Sequence, residues 1–157
     1  MNSGIKLVQG NISIVDDIQD LWEGLKQLHI EKSLDFEQYY RDTTFSSRKE
    51  SFIRCAENGE LLILIAYHDS NKVGYCVASV VDGTGEIDSI FVRSDYRKKQ
   101  IGNMLMESAL GWIHSYSANK IIVKVAIGNE EVFGFYSKYG FAPRLTEMQL
   151  RYTISSQ

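Results

Sequence analysis

Two short polar turns, Asp69-Ser70-Asn71 and Asp82-Gly83-Thr84-Gly85, cut the stretch from residue 61 to residue 92 into three pieces of strand length. Residues 61–68 are almost wholly apolar, residues 72–81 resume the pattern, and residues 86–92 read Glu-Ile-Asp-Ser-Ile-Phe-Val. Turns this short join only neighbouring antiparallel strands, because a parallel connection needs a crossover of a dozen residues or so. The chain is therefore built around an antiparallel meander.

The flanking sequence supplies helices. Ile5 to Gln9 alternates and is rich in β-formers, so it reads as a first strand. From Val15 the apolar positions Ile18, Leu21, Trp22, Leu25 and Leu28 recur at three and four, which predicts an amphipathic helix to about Ser33. Residues 35–45 hold Phe36, Tyr39, Tyr40 and Phe45 among charges with no decisive period, a short helix or a loop. Ser47 with Glu50 has the form of a capping box opening a second main helix, which Asn58-Gly59 ends. Beyond the meander, Ile101, Leu105, Ala109, Trp112, Ile113 and Tyr116 mark a long helix. Residues 120–127 then read as a strand, residues 130–139 as a short helix stopped by Gly140, and residues 145–154 as a final strand. The order is strand, two helices, three strands, helix, strand, helix, strand. In such an α/β chain the strands on either side of the long helix lie parallel through a right-handed crossover.

A length of 157 residues suits one compact domain over residues 1–157. No stretch approaches the roughly 20 apolar residues of a membrane span, and no basic-then-apolar leader opens the chain, so a cytoplasmic protein with no membrane partner is expected. A net charge of -3 argues against nucleic acid and mildly favours a cationic substrate. Cys55 and Cys76 stand apart from each other and from the histidines, so neither a CxxC pair nor a zinc site can be assembled from neighbours and no metal is expected. Both read as small buried hydrophobes.

Chemistry concentrates at the junction between the strand ending at Val92 and the helix beginning near Gln100. A helix start offers unsatisfied amide groups and a positive dipole end, and Arg97, Lys98 and Lys99 stand beside it. Phosphate is the natural guest. Gly102, in the first turn, lets the backbone approach a ligand closely, whereas glycine otherwise costs a helix about 1 kcal/mol. A solvated basic turn with an incidental glycine is the competing reading. No GxxxxGK[ST] loop and no nucleophile elbow is present.

Residues 92–105, VRSDYRKKQIGNML, resemble the acetyl-CoA signature of the GNAT superfamily of N-acetyltransferases, and residues 129–141, NEEVFGFYSKYGF, resemble that family's second signature. The two occur in the family's order and at its usual separation. The resemblance implies an α/β fold: a GNAT-like mixed, mostly antiparallel sheet of six to seven strands flanked by about four helices, with a splayed parallel pair at the acetyl-CoA site. One departure stands out. Gln100 occupies the first glycine of the family's Arg/Gln-x-x-Gly-x-Gly/Ala loop, where a side chain could crowd the pyrophosphate or reshape the loop.

By the same resemblance acetyl-CoA is the cosubstrate. Ile90, Phe91 and Val92 would present backbone groups to its pantetheine arm. Lys98, Lys99, Gln100, Ile101, Gly102 and Asn103 would wrap the pyrophosphate, with Arg97 beside them. Asn129 would touch the cofactor, in addition to capping the helix at Glu130, and Tyr136 would sit near the sulfur.

The chemistry asks for such groups. Attack of an amine on a thioester builds charge on an oxygen and expels a thiolate, which profits from a nearby acid. Tyr136 is the candidate donor; its alternative is a helix tyrosine covering the core beside Phe133 and Tyr139. The amine must also lose a proton, at a cost of roughly 4 to 5 kcal/mol at pH 7. Asp88 and Glu86 alternate with Ile90 and Val92, which predicts all four on one side of the strand, with Asp88 the first choice as base. Their alternative is a solvent-facing polar edge.

In members resembling ribosomal-protein Nα-acetyltransferases a glutamate on the strand before the second signature commonly serves as base, and the closest position here carries Lys124, which counts modestly against a protein N-terminus as acceptor. The acceptor pocket of this fold is usually built from the first two helices and the final strand, which singles out His29, Glu31, Asp35, Glu37, Tyr39, Tyr40 and Glu147. Acids mixed with aromatics suit a small cationic amine of polyamine, amino acid or aminoglycoside type. Two alternatives stay open: a catalytically silent acyl-CoA-binding sensor or interaction domain, and a protein N-acetyltransferase. Dimers are common among the proteins this chain resembles, which makes a homodimer compatible with it.

Overall fold

The computed structural model describes residues 4–151. Five strands, β1 (Ile5–Gly10), β2 (Glu60–His68), β3 (Asn71–Val81), β4 (Thr84–Val92) and β5 (Lys120–Val123), form one sheet in that order. All neighbours are antiparallel except β4 and β5, which are parallel. The meander is thus present, and both of its turns have two residues. Asp82 and Gly83 both take positive φ, 49° and 77°, the combination a type I′ hairpin turn requires.

Five α-helices accompany the sheet: α1 (Gln19–Lys32), α2 (Glu37–Asp42), α3 (Phe45–Asn58), α4 (Ile101–His114) and α5 (Phe133–Ser137). The stretch that sequence left undecided forms α2. The helix expected from Val15 opens with a 3-10 segment, Ile12–Ile18, capped by the Asn11 side chain, before α1 proper. α3 starts earlier than the Ser47–Glu50 box implied. Thr44 is extended and its hydroxyl accepts the Ser47 amide at 3.1 Å, so Thr44 is the N-cap and Phe45 is buried in the first turn beside Trp22.

The sheet separates two cores. Leu62, Leu64, Cys76, Ala78 and Ile87 pack under Ile101, Leu105, Met106, Ala109 and Ile113 of α4. Leu61, Ile63, Ile65, Tyr75 and Val77 pack under Val15, Ile18, Leu21, Trp22, Phe45 and Phe52. With helices on both faces, β2 has no solvated side, which explains its unbroken apolar run.

The described residues hold five strands rather than six to seven. The strand expected over residues 120–127 stops at Val123, because β4 bulges at that level and offers no further backbone partner. Residues 145–151 carry no strand, and the rest of that expected element lies outside the described residues. Leu145, Met148 and Leu150 stay exposed there, so the alternating pattern has met no neighbouring ladder.

Candidate active site

The register between β3 and β4 passes from Val77↔Ser89 to Ala78↔Ile87, leaving Asp88 as one extra residue on β4. At the same level the parallel pairing ends with Ile87↔Val123. Beyond it β4 runs on to Val92 bonded to β3 alone, and the chain after Val123 leaves the sheet. The two parallel strands are therefore parted at Asp88.

The bulge corrects the expectation that Glu86, Asp88, Ile90 and Val92 share a side. Ile87 lies in the core under α4, and so do Ile90 and Val92 three and five residues on. Phe91 and the Ser89 partner Tyr75 lie in the other core. An extra residue reverses the alternation, so Glu86 and Asp88 belong to the α3 face while Ile90 and Val92 point under α4.

Asp88 is mostly enclosed. Burial pushes its carboxyl up to about 6; the Ser79 hydroxyl draws it back, Glu86 raises it further, and Arg48 and Lys124 lower it. Its Oδ2 is buried without a hydrogen-bond partner, while its main-chain carbonyl accepts Arg48 Nη2 at 2.6 Å. Glu86 lies two residues back, 3.8 Å from Lys124 Nζ, and lines a cavity of about 400 Å3 with Ser51, Arg54, Cys55, Asn58, Ser79, Val81 and Thr84.

Tyr136 stands on α5 and joins the core under α4, with its ring edge-on to Phe135 and Phe141. Burial, with Cys76 nearby, pushes its phenol up to about 12, so it keeps its proton at neutral pH. Phe133, named with it from sequence, is exposed, whereas Tyr139 also packs on that core.

The basic loop has a left-handed backbone at two non-glycine positions, Lys98 (φ 63°) and Gln100 (φ 67°). Gln100 occupies the N-cap of α4 and its side chain makes no capping bond, so the helix start keeps its amide groups free of side-chain partners. The Gln100 Oε1 accepts instead from Asn103 Nδ2, and Asn103 Oδ1 accepts from the Tyr139 hydroxyl and, at 3.2 Å, from Lys138. The backbone thus adopts the glycine conformation, and the amide side chain is tied back along the helix toward α5. Arg97 donates to the Val92 carbonyl at 3.0 Å and lies over the Phe91 ring, pinning the loop to β4. Lys99 rests over the Tyr96 ring. Ile101 is a core residue, leaving only its backbone for the loop. At Gly102 an added Cβ would lie 3.2 Å from the Phe135 ring, so this glycine also permits the close approach of α5.

Asn129 does not cap the following helix. Its side chain makes no capping bond, and its Oδ1 is buried without a partner. Its position is fixed by its neighbours: Gly128, at φ 99°, sits where a Cβ would strike the Lys32 carbonyl, and Lys32 is ion-paired with Glu131.

The residues singled out for the acceptor divide. His29 stacks on Tyr40 with centroids 5.1 Å apart, burial lowers its pKa, and its Nδ1 has no partner. Asp35 and Tyr39 line a second cavity of about 260 Å3 with Phe36, Gln38, Asp42, Gln149, Leu150 and Arg151, and Asp35 pairs with Arg151 at 3.5 Å. Glu37 is spent on a surface pair with Arg41, Glu31 accepts from Gln27, and Glu147 is exposed outside both cavities. Arg48 and Ser79 were missed. The available signal was a cation one helical turn before Phe52, on the apolar face of α3.

The described residues thus combine a parted parallel strand pair and a helix start without a side-chain cap with a carboxyl and a phenol on opposite faces of the sheet. The chain belongs to the Acetyltransferase (GNAT) family, whose model matches residues 22–141. Its fold is shared by the PaiA N-acetyltransferase of Thermoplasma acidophilum in complex with coenzyme A (20% identity over 91% of this chain and 92% of that one, TM-score 0.72). It is shared too by the aminoglycoside N-acetyltransferase AAC(6')-Iy in complex with CoA (15%, 94% and 95%, 0.68). The aminoglycoside acetyltransferase meta-AAC0020 from an uncultured soil metagenomic sample, in complex with sisomicin, is a third (11%, 98% and 99%, 0.67). No curated protein sequence matches the chain. Among the described residues no helix is long and apolar enough to cross a membrane, and no three His, Cys, Asp or Glu side chains are gathered as a metal site.

Proposed function

We propose that the protein binds acetyl-CoA at the parting of β4 and β5 and transfers the acetyl group to a primary amine of a small cationic molecule, of polyamine, amino acid or aminoglycoside type. One observation carries this reading: Asp88 and Tyr136 flank the parted strands from opposite faces of the sheet. Acyl transfer from a thioester needs a group that takes the ammonium proton and a group that gives one to the thiolate, and the two residues supply both.

The residues present fit the cosubstrate. The α4 start, with Lys98 and Lys99 beside it, has free amide groups for a pyrophosphate, and the Asn129 Oδ1 is a buried acceptor lacking a donor. Acetyl-CoA supplies a thioester carbonyl open to attack by an amine. Backbone amides of Ile90 and Val92, on the edge of β4 unpaired with β5, hold the pantetheine arm and steady the charge that develops on the carbonyl oxygen, while Phe91, whose backbone groups face β3, keeps the strand in the sheet. Asp88 takes the proton of the incoming ammonium through its free Oδ2, and Tyr136 gives a proton to the departing thiolate. The acceptor lies on the α3 face, where Glu86 and the larger cavity adjoin Asp88 through Ser79.

A silent acyl-CoA-binding domain is the second reading, favoured by the non-glycine Gln100 in a left-handed conformation. Calorimetric titration with acetyl-CoA, repeated on Tyr136→Phe and Gly102→Glu, tests the cofactor site: binding should survive the first change and vanish in the second. Thiol release over a panel of amines then separates the readings, since a silent domain binds without releasing thiol above background.

A further inference from the structure

We propose that Arg48 is the positioning residue for Asp88: it grips the carbonyl of the bulged residue where β4 and β5 part, and so sets the orientation and the charge of the carboxylate that receives the acceptor's proton. This rests on the general-base role of Asp88 proposed above.

A bulge removes one residue from the ladder and leaves its backbone groups to be satisfied elsewhere. Here the orphan is the Asp88 carbonyl, and the donor comes from a different layer, Arg48 Nη2 on α3 at 2.6 Å. The guanidinium is itself held. Its Nη1 donates to Ser51 Oγ at 3.3 Å, Ser51 Oγ donates to the Arg48 carbonyl at 2.7 Å, and the Phe52 ring lies 4.5 Å beneath it. A planar fork spanning a carbonyl, a hydroxyl and a ring face is a task for arginine, not for a lysine point charge.

The choice of atom matters chemically. Among the described residues Arg48 makes no ion pair with the Asp88 carboxylate, so the buried Oδ2 keeps its lone pairs unclaimed while the cation still acts on it from nearby. A direct salt bridge would have quenched the base. The other groups facing Asp88 are Glu86 on β4, Cys55 on α3, Cys76 and the Ser79 hydroxyl on β3, and Lys124 after β5. Of the two cations, Lys124 is largely exposed and screened, which leaves Arg48 as the fixed positive charge.

The test is the pH dependence of kcat/KM for the full chain with acetyl-CoA and the most active amine of a polyamine, amino acid and aminoglycoside panel. Wild type, Arg48→Lys, Arg48→Met and Asp88→Asn are compared, with the Asp88 carboxyl titration followed by 13C NMR. Arg48→Met should move the acid limb and the NMR titration upward by a few tenths of a pH unit, as expected on removing a cation that lowers the carboxyl pKa without pairing with it. Arg48→Lys should keep the limb near its wild-type place yet lower kcat, because charge is retained and the fork is lost. An unmoved limb and titration in Arg48→Met would overturn the proposal. So would equal behaviour of the lysine and methionine variants. If Arg48→Met does not fold, the NMR titration in Arg48→Gln decides the same question. An acid limb that persists in Asp88→Asn removes the general-base reading itself, whereas a limb lost there but unmoved by Arg48→Met removes the role of Arg48 alone.

Discussion

Asp88 and Tyr136 are attached to opposite faces of one sheet, Asp88 by a one-residue bulge on the α3 side and Tyr136 by α5 on the α4 side. Both have lost solvent, and for both burial is the largest cause of a raised pKa. The same physics yields different states at neutral pH: a carboxyl near 6 is ionised at pH 7.5 and a phenol near 12 is not.

Asp88→Asn should lower kcat by roughly 10² to 10⁴ and stabilise the protein. A carboxyl that ordinarily titrates near 3.8 and here near 6 holds protons more tightly in the folded chain, so folding stability falls as pH rises across that interval. At 1.36 kcal/mol per pH unit the penalty is about 3 kcal/mol above pH 7. Denaturant unfolding at pH 4 and pH 7.5 should therefore show the variant gaining on wild type at the higher pH and converging toward it at the lower. Equal differences at both would mean that Asp88 is not strained by burial.

Tyr136→Phe should leave acetyl-CoA affinity within about twofold and lower kcat by roughly 10² to 10⁴, the range of a lost acid-base group. With its phenol near 12, wild type should show no alkaline limb from this residue below about pH 11. Pre-steady-state thiol release separates loss of chemistry from loss of binding.

Much of this was legible in the chain, for identifiable reasons. The meander could be read because Asp82-Gly83 and Asp69-Ser70 are turn residues between apolar runs, and the basic turn before Ile101 could be read because a helix start beside cations has a chemical meaning. The bulge could not. Asp88 alternates perfectly with Glu86 and Ile90 in sequence, and only the pairing with β3 shows that the alternation breaks there. For Arg48 the sequence offered only a cation on the apolar face of α3, since its partner is a backbone carbonyl, which carries no sequence signal of its own. The strand expected over residues 145–154 failed in residues 145–151 because period-two patterning describes a strand's faces and not its edge partner.

Gln100→Gly should raise stability and acetyl-CoA affinity together. A left-handed non-glycine residue costs of order 1 kcal/mol, and glycine removes that cost while losing the Gln100–Asn103 side-chain bond. The net gain should be about 0.5 kcal/mol, read as a rise of one or two degrees in Tm for a chain of this size. A fall in Tm would show that the tie to Asn103, Lys138 and Tyr139 outweighs the backbone strain.

Glu86→Gln and Lys124→Met should move the acid limb of activity in opposite directions. Glu86 raises the Asp88 carboxyl by like charge, so its neutral replacement should shift the limb down, while Lys124 lowers it and its removal should shift the limb up. The two are also paired with each other at 3.8 Å, and the Lys124 side chain is 81% exposed, so each shift should be a few tenths of a pH unit and should shrink in high salt. The double variant should return close to the wild-type limb, because the two effects on Asp88 have opposite sign. Limbs that move together, or that ignore ionic strength, would place both charges outside the electrostatic environment of Asp88.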